Sequence, residues 1–425
     1  MRRLLVLITV AAFALAAAAP ASASRFIRYG VQDDAWLMHG PGSLEERVAT
    51  LDRLGVDLVR FTVRWDQVAR QKPRNGRAHL DPAYDWSRSD AVLRELRAQG
   101  IAPLVTLLGT PRWANGGRSS NWAPRVGAHF GNFAYAAQKR YPWVRDWLIW
   151  NEPNQRRWLR PTTPSTYVSK LLNPAYAAIK QARRSARVAG GVTAPRGSTG
   201  GVSPVRWIRG MDAARARLDA YAHHPYPLKP RTETPWSGGC RHCETITMAT
   251  LERLISEVRR AFGNKRIWLT EYAYQTRPQE RILGVTHAAQ ARYLSDASLR
   301  AYRAPFVDML VKYRVHDDTH AGGWQSGLFL ASGRPKLAAK AFPMPLAQVS
   351  RSGSRTVVWG QLRQGKGAQT YRLRVKRGGK GSWVGGSRRT NARGFFSVAL
   401  QASKGTAVQA WCPRTKTYGP VLIVR

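Results

Sequence analysis

Between residues 26 and 342 the chain alternates between two hydrophobic rhythms. Short runs rich in β-branched and other apolar residues read as strands, and longer stretches with apolar residues three or four apart read as helices. Strands are expected at 26–32, 56–65, 101–108, 147–151, 188–193, 218–223, 267–270 and 306–313. The first helix has Ser43 and Glu46 spaced as a capping box, an apolar stripe of Leu44, Val48, Leu51 and Leu54, and Gly55 as its stop. Further helices are expected at 87–99, 130–140, 166–183, 248–262 (closed by Gly263), 287–302 and 334–342.

Eight strands interleaved with helices call for parallel pairing, because a parallel connection needs a crossover element. The span suits a closed (β/α)₈ TIM barrel of class α/β. A doubly wound open sheet would show a Gly-rich phosphate turn after its first strand, and Gly30-Val-Gln-Asp-Asp34 is not one. From Leu346 the texture changes to short β-rich runs at 356–362, 370–375, 394–400 and 406–411, separated by Gly, Lys and Ser turns. These predict a small antiparallel, sandwich-like domain. Pro343 and Pro345 mark the expected linker, and 378–386 an expected flexible basic loop. The organisation expected is therefore a leader at 1–23, a barrel at 24–342 and a β-rich accessory domain at 346–425.

The leader has Arg2 and Arg3, an apolar run over 4–19 and the small residues Ala21-Ser22-Ala23, the pattern of a secretory signal cleaved before Ser24. The run is short and Ala-rich for a bilayer span, and an uncleaved anchor is the alternative. Both place the rest outside the cytoplasm, secreted or held at the cell envelope, with no transmembrane anchor once the leader is cleaved.

Composition adds one strong feature: 68 Lys and Arg face 25 Asp and Glu, a net charge of +43. Such a field attracts anionic partners. The basic residues are spread along the chain, with no zinc-finger, RRM-like or basic-zipper pattern, so no specific nucleic-acid partner is expected. Acidic glycans or anionic cell-wall polymers suit an exported protein better; a merely solvated basic surface is the plainer alternative. Of three cysteines, Cys240 and Cys243 flank Arg241-His242, and Cys412 stands alone. No second Cys/His pair completes a zinc site, so a local disulfide is the favoured reading in an oxidising compartment.

Candidate chemistry follows from the barrel, whose reactive side chains stand at the C-terminal ends of strands. Glu152 follows the fourth strand and Glu271 the seventh, which face each other across the ring, so their carboxyls can converge on one bond. Double-displacement glycoside hydrolysis needs that arrangement, with carboxyls about 5–5.5 Å apart. Arg60, in Val59-Arg-Phe-Thr-Val-Arg-Trp65, is the favoured inward cation to hold Glu271 ionised, with Arg64 as the alternative. Asn151 is placed to bond a sugar 2-hydroxyl, Tyr226 to donate to the nucleophile and His224 to orient the acid, while His223 packs. Trp65, Trp86, Trp113, Trp122, Trp158 and Trp324 fall near the expected mouth, where indoles stack on sugar faces, with Trp113 and Trp158 taken as substrate platforms. Arg112, Arg118, Arg156, Arg157 and Arg160 are candidates for a uronate or phosphate.

Arg60…Trp65-Asp-Gln-Val68, Thr110-Pro-Arg-Trp-Ala114, Ile149-Trp-Asn-Glu-Pro153, His224-Pro-Tyr226 and Trp268-Leu-Thr-Glu-Tyr272 resemble the clan A retaining glycoside hydrolases, nearest to the family thirty-nine and family five branches. The resemblance spans the whole barrel. It implies retention of anomeric configuration, Glu152 as acid/base, Glu271 as nucleophile, and no metal or other cofactor. The chain departs from the pattern in strand eight, where many relatives carry a Trp. Here Tyr313 is the nearest aromatic and Lys312 occupies the usual Trp position. Strand three offers Thr106 and Thr110 where the family five branch often has a His. The expected function is a secreted retaining glycosidase of poly- or oligosaccharides. The alternative is a non-catalytic glycan-binding barrel of the cell envelope, against which the intact Glu152, Glu271 and Arg60 argue.

Overall fold

The computed structural model describes residues 24, 26–320, 322–377 and 380–425. The expected leader lies outside them. Eight parallel strands, β1 (Arg28–Gln32), β2 (Leu58–Arg64), β3 (Ala102–Leu108), β4 (Asp146–Ile149), β5 (Arg187–Thr193), β6 (Ala220–His223), β7 (Arg266–Tyr272) and β8 (Val307–Tyr313), form a closed barrel in sequence order. Closure is made by β1 on β8, in register from Arg28 with Met309 to Gln32 with Tyr313.

Alternation along the strands builds two cores. Leu58, Leu104, Leu148, Ala222, Trp268 and Met309 fill the barrel interior. Val59, Phe61, Val105, Ile149, Val188 and Leu269 face outward into the larger cluster under the helices. On β2 this puts Leu58, Arg60, Thr62 and Arg64 on one face, so both arginines point inward. The deeper Arg60 is buried at 1 % exposure, while Arg64 lines the wall above it, paired to Asp66 at 2.8 Å.

The capping box is present: the Ser43 hydroxyl accepts from the Glu46 backbone, and Glu46 accepts from the Ser43 backbone at 2.7 Å. Gly55 ends this helix at φ +70°, where any Cβ would also strike the backbone of Arg363. The helix expected at 166–183 is broken by a π-helical stretch, Val168–Leu172, between Pro164–Tyr167 and Asn173–Ala182. Pro174 accounts for the break, since it has no N–H to donate and its ring crowds the preceding turn. A helix not anticipated, Pro204–Ala213, follows β5, with Ser203 as its cap and Trp207, Ile208 and Met211 buried. Its signal is masked by the Gly- and Ser-rich segment just before it, which reads as loop. Among the described residues, no helix is long and apolar enough to cross a membrane.

Beyond the barrel lie β9 (Leu346–Ser352), β10 (Arg355–Gln361), β11 (Thr370–Arg377), β12 (Lys380–Trp383), β13 (Arg388–Arg389), β14 (Phe395–Gln401), β15 (Ala407–Cys412), β16 (Thr417–Tyr418) and β17 (Leu422–Ile423). They form an antiparallel three-stranded sheet, β14-β10-β9, and a six-stranded sheet built on β11 and β15. Part of the expected basic loop is thus strand β12, paired to β11.

The expected Pro343–Pro345 linker is not an exposed tether. Pro343, Met344 and Pro345 are buried, and the Pro343 and Pro345 carbonyls accept from Arg363 and Gln361. Trp359 and Phe395 join the barrel's own apolar cluster, with the Phe395 ring 4.7 Å from that of Tyr302. Arg363 inserts beside the barrel, its guanidinium 3.7 Å over the Tyr29 ring and donating to Ser298 at 2.9 Å. The sheets are welded onto the barrel by apolar contact.

Candidate active site

At the C-terminal ends of the strands the loops enclose a cleft of about 930 Å³, lined by Asn151, Glu152, Tyr226, Glu271, Tyr313 and Trp324 among others. Glu271 is the sixth residue of β7, while Glu152 stands three residues beyond β4. The chain turns sharply to aim Glu152: Trp150 has φ 73° and Glu152 φ 39°. Left-handed backbone at non-glycine residues costs on the order of 1–3 kcal/mol each and persists only where surroundings hold it. Here the Trp150 backbone donates to Leu107 and that of Glu152 to Val192, each at 2.9 Å. The Trp150 indole also donates to the Trp158 carbonyl at 2.8 Å.

The two carboxylates have different surroundings. Arg60 Nη1 donates to Glu271 Oε1 at 2.5 Å, and the Tyr226 hydroxyl donates to Glu271 Oε2 at 2.9 Å. Burial raises the Tyr226 pKa well above its ordinary value, so the phenol keeps its proton. Arg60 also donates to Asn151 Oδ1 at 2.7 Å and Thr106 Oγ1 at 3.0 Å, and this fork fixes its plane. Glu152 receives longer bonds, from Trp158 Nε1 and Arg157 Nη2, both at 3.1 Å. The Arg157 side chain is 71 % exposed, so its pairing is screened by water. Burial outweighs these donors and pushes the Glu152 carboxyl above its ordinary range, although Arg157 and Arg60 pull it down.

His224 couples the pair. Its Nε2 lies 3.1 Å from Arg60 Nη1, and its Nδ1 lies 3.2 Å from Glu152 Oε1. Burial, with Arg60 alongside and Glu271 opposing, pushes its pKa down to about 3, so the ring is neutral. An arginine only donates, so Nε2 must be the acceptor and the proton sits on Nδ1, where it donates to Glu152. One carboxylate oxygen from each Glu and one His224 ring nitrogen all lie within 4.8 Å of one another. These are ligand types that can hold a metal ion, but the fixed Arg60 guanidinium already contacts Glu271 and His224 from within the barrel. A cation there would meet that buried charge.

The structure thus brings Arg60, Asn151, Glu152, His224, Tyr226 and Glu271 together, with Trp158 and Tyr313 on the walls. Trp113 stands elsewhere. Its indole donates to the Ala69 carbonyl at 2.8 Å and packs edge-on against Trp65, because the short helix Arg112–Asn115 turns it toward the outer core. Trp65 and Trp86 are buried in that core, and Trp122 lies under Arg118 off the cleft; Trp324 lines it, against Tyr226 and Tyr313. Of the five loop arginines, Arg157 alone lines the cleft. Lys312 is buried beneath, donating to the carbonyls of Tyr313, Arg314 and Ser326, and offers no substrate surface. His223 packs as expected, between Thr193 and the Ile246 carbonyl. Cys240 and Cys243 form a disulfide, and the Cys412 thiol is buried.

Two cleft residues were not singled out by sequence. Gln32 ends β1 and Asp34 begins the short helix Asp34–His39. Among the described residues, Gln32 Oε1 and Asp34 Oδ1 are buried without hydrogen-bond partners, and both residues line the cleft. Burial raises the Asp34 pKa to about 6, against the pull of Thr62 and Arg60. Unpaired buried acceptors are costly, so these two are ready to receive donors from a bound molecule. The polar run Gln32-Asp33-Asp34 at a strand end was the available signal.

No family model and no curated protein matches the chain. Among solved structures it is similar to a glucosidase from Croceicoccus marinus, at TM-score 0.59 and 14 % identity over 92 % of this chain and 96 % of that one. It is similar to the GH39 enzyme from Xanthomonas axonopodis pv. citri, at TM-score 0.58 and 16 % identity over 94 % and 96 %. A family 1 β-glucosidase from Thermotoga maritima aligns at TM-score 0.53 and 12 % identity over 74 % and 96 %. In fold, the chain is similar to these glycosidase barrels, one of them from family thirty-nine, a branch its motifs resemble.

Proposed function

We propose that the protein is a secreted retaining O-glycoside hydrolase that cleaves a poly- or oligosaccharide by double displacement. The carrying observation is the Glu152–Glu271 pair, with a carboxylate oxygen of each within 4.8 Å of the other. That spacing suits direct attack, for which carboxyls stand about 5–5.5 Å apart, and is short of the roughly 6.5–9.5 Å that leaves room for a water in inverting enzymes.

Glu152, whose carboxyl burial shifts toward holding its proton, gives that proton to the glycosidic oxygen. Glu271, held by the Arg60 guanidinium and the Tyr226 hydroxyl, attacks the anomeric carbon as the leaving group departs. Glu152, now ionised, takes a proton from water, which displaces Glu271 and restores the starting state. The His224 Nδ1–H steadies Glu152 in its charged phase. Asn151 has its Oδ1 taken by Arg60, which leaves its amide nitrogen to bond a sugar hydroxyl.

The fold likeness to glycosidases and the motif resemblance support this reading, and the leader pattern supports export. The test uses an aryl glycoside screen followed by two variants. Glu271→Ala should abolish turnover. Glu152→Ala should keep turnover on substrates with good leaving groups and be rescued by azide, and the first product seen by NMR should retain its anomeric configuration. Wild-type rates in both variants, or an inverted first product, would refute the assignment.

A further inference from the structure

The six-stranded C-terminal sheet is buried on one face only. Tyr371, Leu373 and Val375 of β11 and Val408, Ala410 and Cys412 of β15 point into the small core. The alternate positions carry a different chemistry. Arg372 pairs with Trp411, which pairs in turn with Tyr418, so these three form one row across three strands. Arg374 pairs with Gln409 on one side and Trp383 on the other, forming the next row. Side chains paired in this way share a face.

Those rows build a platform. The Trp383 ring lies 5.7 Å from Trp411 and 6.4 Å from Tyr418, the latter within 14° of parallel. Trp383 and Tyr418 are each 37 % exposed. Exposed aromatic clusters of this kind mark interaction sites rather than core. The Arg372 guanidinium lies 4.2 Å over the Trp383 ring, and its Nε is buried without a hydrogen-bond partner among the described residues. Arg374 lies across Gly381, where any Cβ would collide with its guanidinium.

We infer that this face binds a polyuronate strand, the rings stacking on its sugars and Arg372 and Arg374 pairing with their carboxylates. The cation sits within one ring's reach of the stacking surface. A uronic acid matches that spacing, because its carboxylate is a substituent of the ring that stacks. A polyol phosphate has charge but no ring. A nucleic acid has rings that carry no charge, its phosphates lying beyond the sugar. The choice of sugar polymer over nucleic acid rests also on the glycosidase reading of the barrel.

The test separates ring recognition from the general pull of a basic protein. Affinity electrophoresis of the full chain is run through polygalacturonate, through neutral hydroxyethyl cellulose and against single-stranded DNA, at raised salt. Glu271→Gln is the background, so that nothing is hydrolysed. Trp383→Ala and Tyr418→Ala leave net charge untouched at exposed positions; together they should weaken polygalacturonate binding about tenfold or more, as loss of a stacking surface does. Trp383→Phe should restore part of the loss, and turnover of any small aryl glycoside by the otherwise wild-type chain carrying these ring changes should not move. Unchanged retardation in the double variant overturns the inference. Ring-dependent binding that is tighter to DNA or equal on the neutral polymer overturns the polyuronate assignment. Because binding is read apart from turnover, an inactive barrel with a ring-dependent platform would refute the glycosidase reading alone.

Discussion

The Arg60 guanidinium meets Glu271 at 2.5 Å from a side chain that is 1 % exposed, and the same group holds Asn151 and Thr106. A cation so deep in the barrel is tolerated because it is paired and its donors are used. Lysine cannot reproduce that fork. Arg60→Lys should fold yet lower kcat/KM by about 10²–10³-fold, and Arg60→Met should cost about 3–5 kcal/mol in denaturant unfolding through an uncompensated Glu271. A kcat/KM within twofold of wild type in Arg60→Lys would sink this account of the site.

In the proposed mechanism the Glu152 environment sets the basic limb of the pH–rate profile. Arg157 opposes the upward effect of burial, so Arg157→Ala should move that limb to higher pH. The shift should stay under about one pH unit and shrink with salt, because an exposed partner contributes only about 0–1 kcal/mol. Trp158→Phe should move it in the same direction. A downward shift in kcat/KM profiles would contradict the stated balance.

Burial pushes His223 and His224 down to about 3 from 6.5. Between those values the unfolded chain binds protons that the folded chain refuses, so their contribution to stability rises with pH from about 3 to 6.5 and is then constant. His223 lies outside the reacting pair and allows a clean test. In His223→Gln the slope of unfolding free energy against pH across this window should fall by up to about 1.4 kcal/mol per pH unit. Equal slopes in the two proteins would show the ring is not held neutral.

Gln32 and Asp34 line the cleft and each carries a buried acceptor with no partner among the described residues. Asp34→Asn and Gln32→Leu should leave the melting temperature unchanged or higher, since the first replaces a carboxylate whose charge burial disfavours and the second removes an acceptor without a partner. Each should lower kcat/KM by roughly 10–100-fold, as expected for losing a hydrogen bond to substrate of about 1–3 kcal/mol. Steady-state kinetics beside calorimetry decides it; a loss of stability with full activity would mean a structural role.

The C-terminal sheets cover apolar surface of the barrel, with Trp359 and Phe395 in its cluster and Arg363 against Tyr29. A chain ending at Phe342 should therefore be insoluble or melt well below the intact protein in thermal unfolding. An equally stable truncated barrel would return the sheets to the status of an appendage.

Much of the barrel was legible in the chain because each strand and helix is specified locally. Strand runs are short and β-branched, as in Val56 to Val63, and helices announce themselves through caps such as Ser43 and stops such as Gly55. The same locality explains the misses. Pro204–Ala213 hides behind a flexible preceding segment, and Pro174 breaks a ladder whose apolar spacing is intact.

The sequence by itself determined the order of elements, the closure they imply and the standing of the two acids at the C-terminal ends of strands four and seven, since apolar periodicity marks where each strand runs. It did not aim them: Leu269, two residues before Glu271, faces outward, and a register shift between Leu269 and Tyr272 lets Glu271 line the cleft, as the left-handed turn at Trp150 and Glu152 does for the other acid. Only the tertiary structure decided that Arg60 and His224, which the sequence offered as partners of the two acids, reach Glu271 and Glu152, because those contacts join residues from distant strands. It also decided which tryptophans reach the cleft, since Trp113 and Trp158 are equally plausible in the chain and are separated by the turn each loop takes. Nothing local in the residues 343–345 distinguishes a tether from a buried seam; the packing of Trp359 and Phe395 onto Tyr302 does.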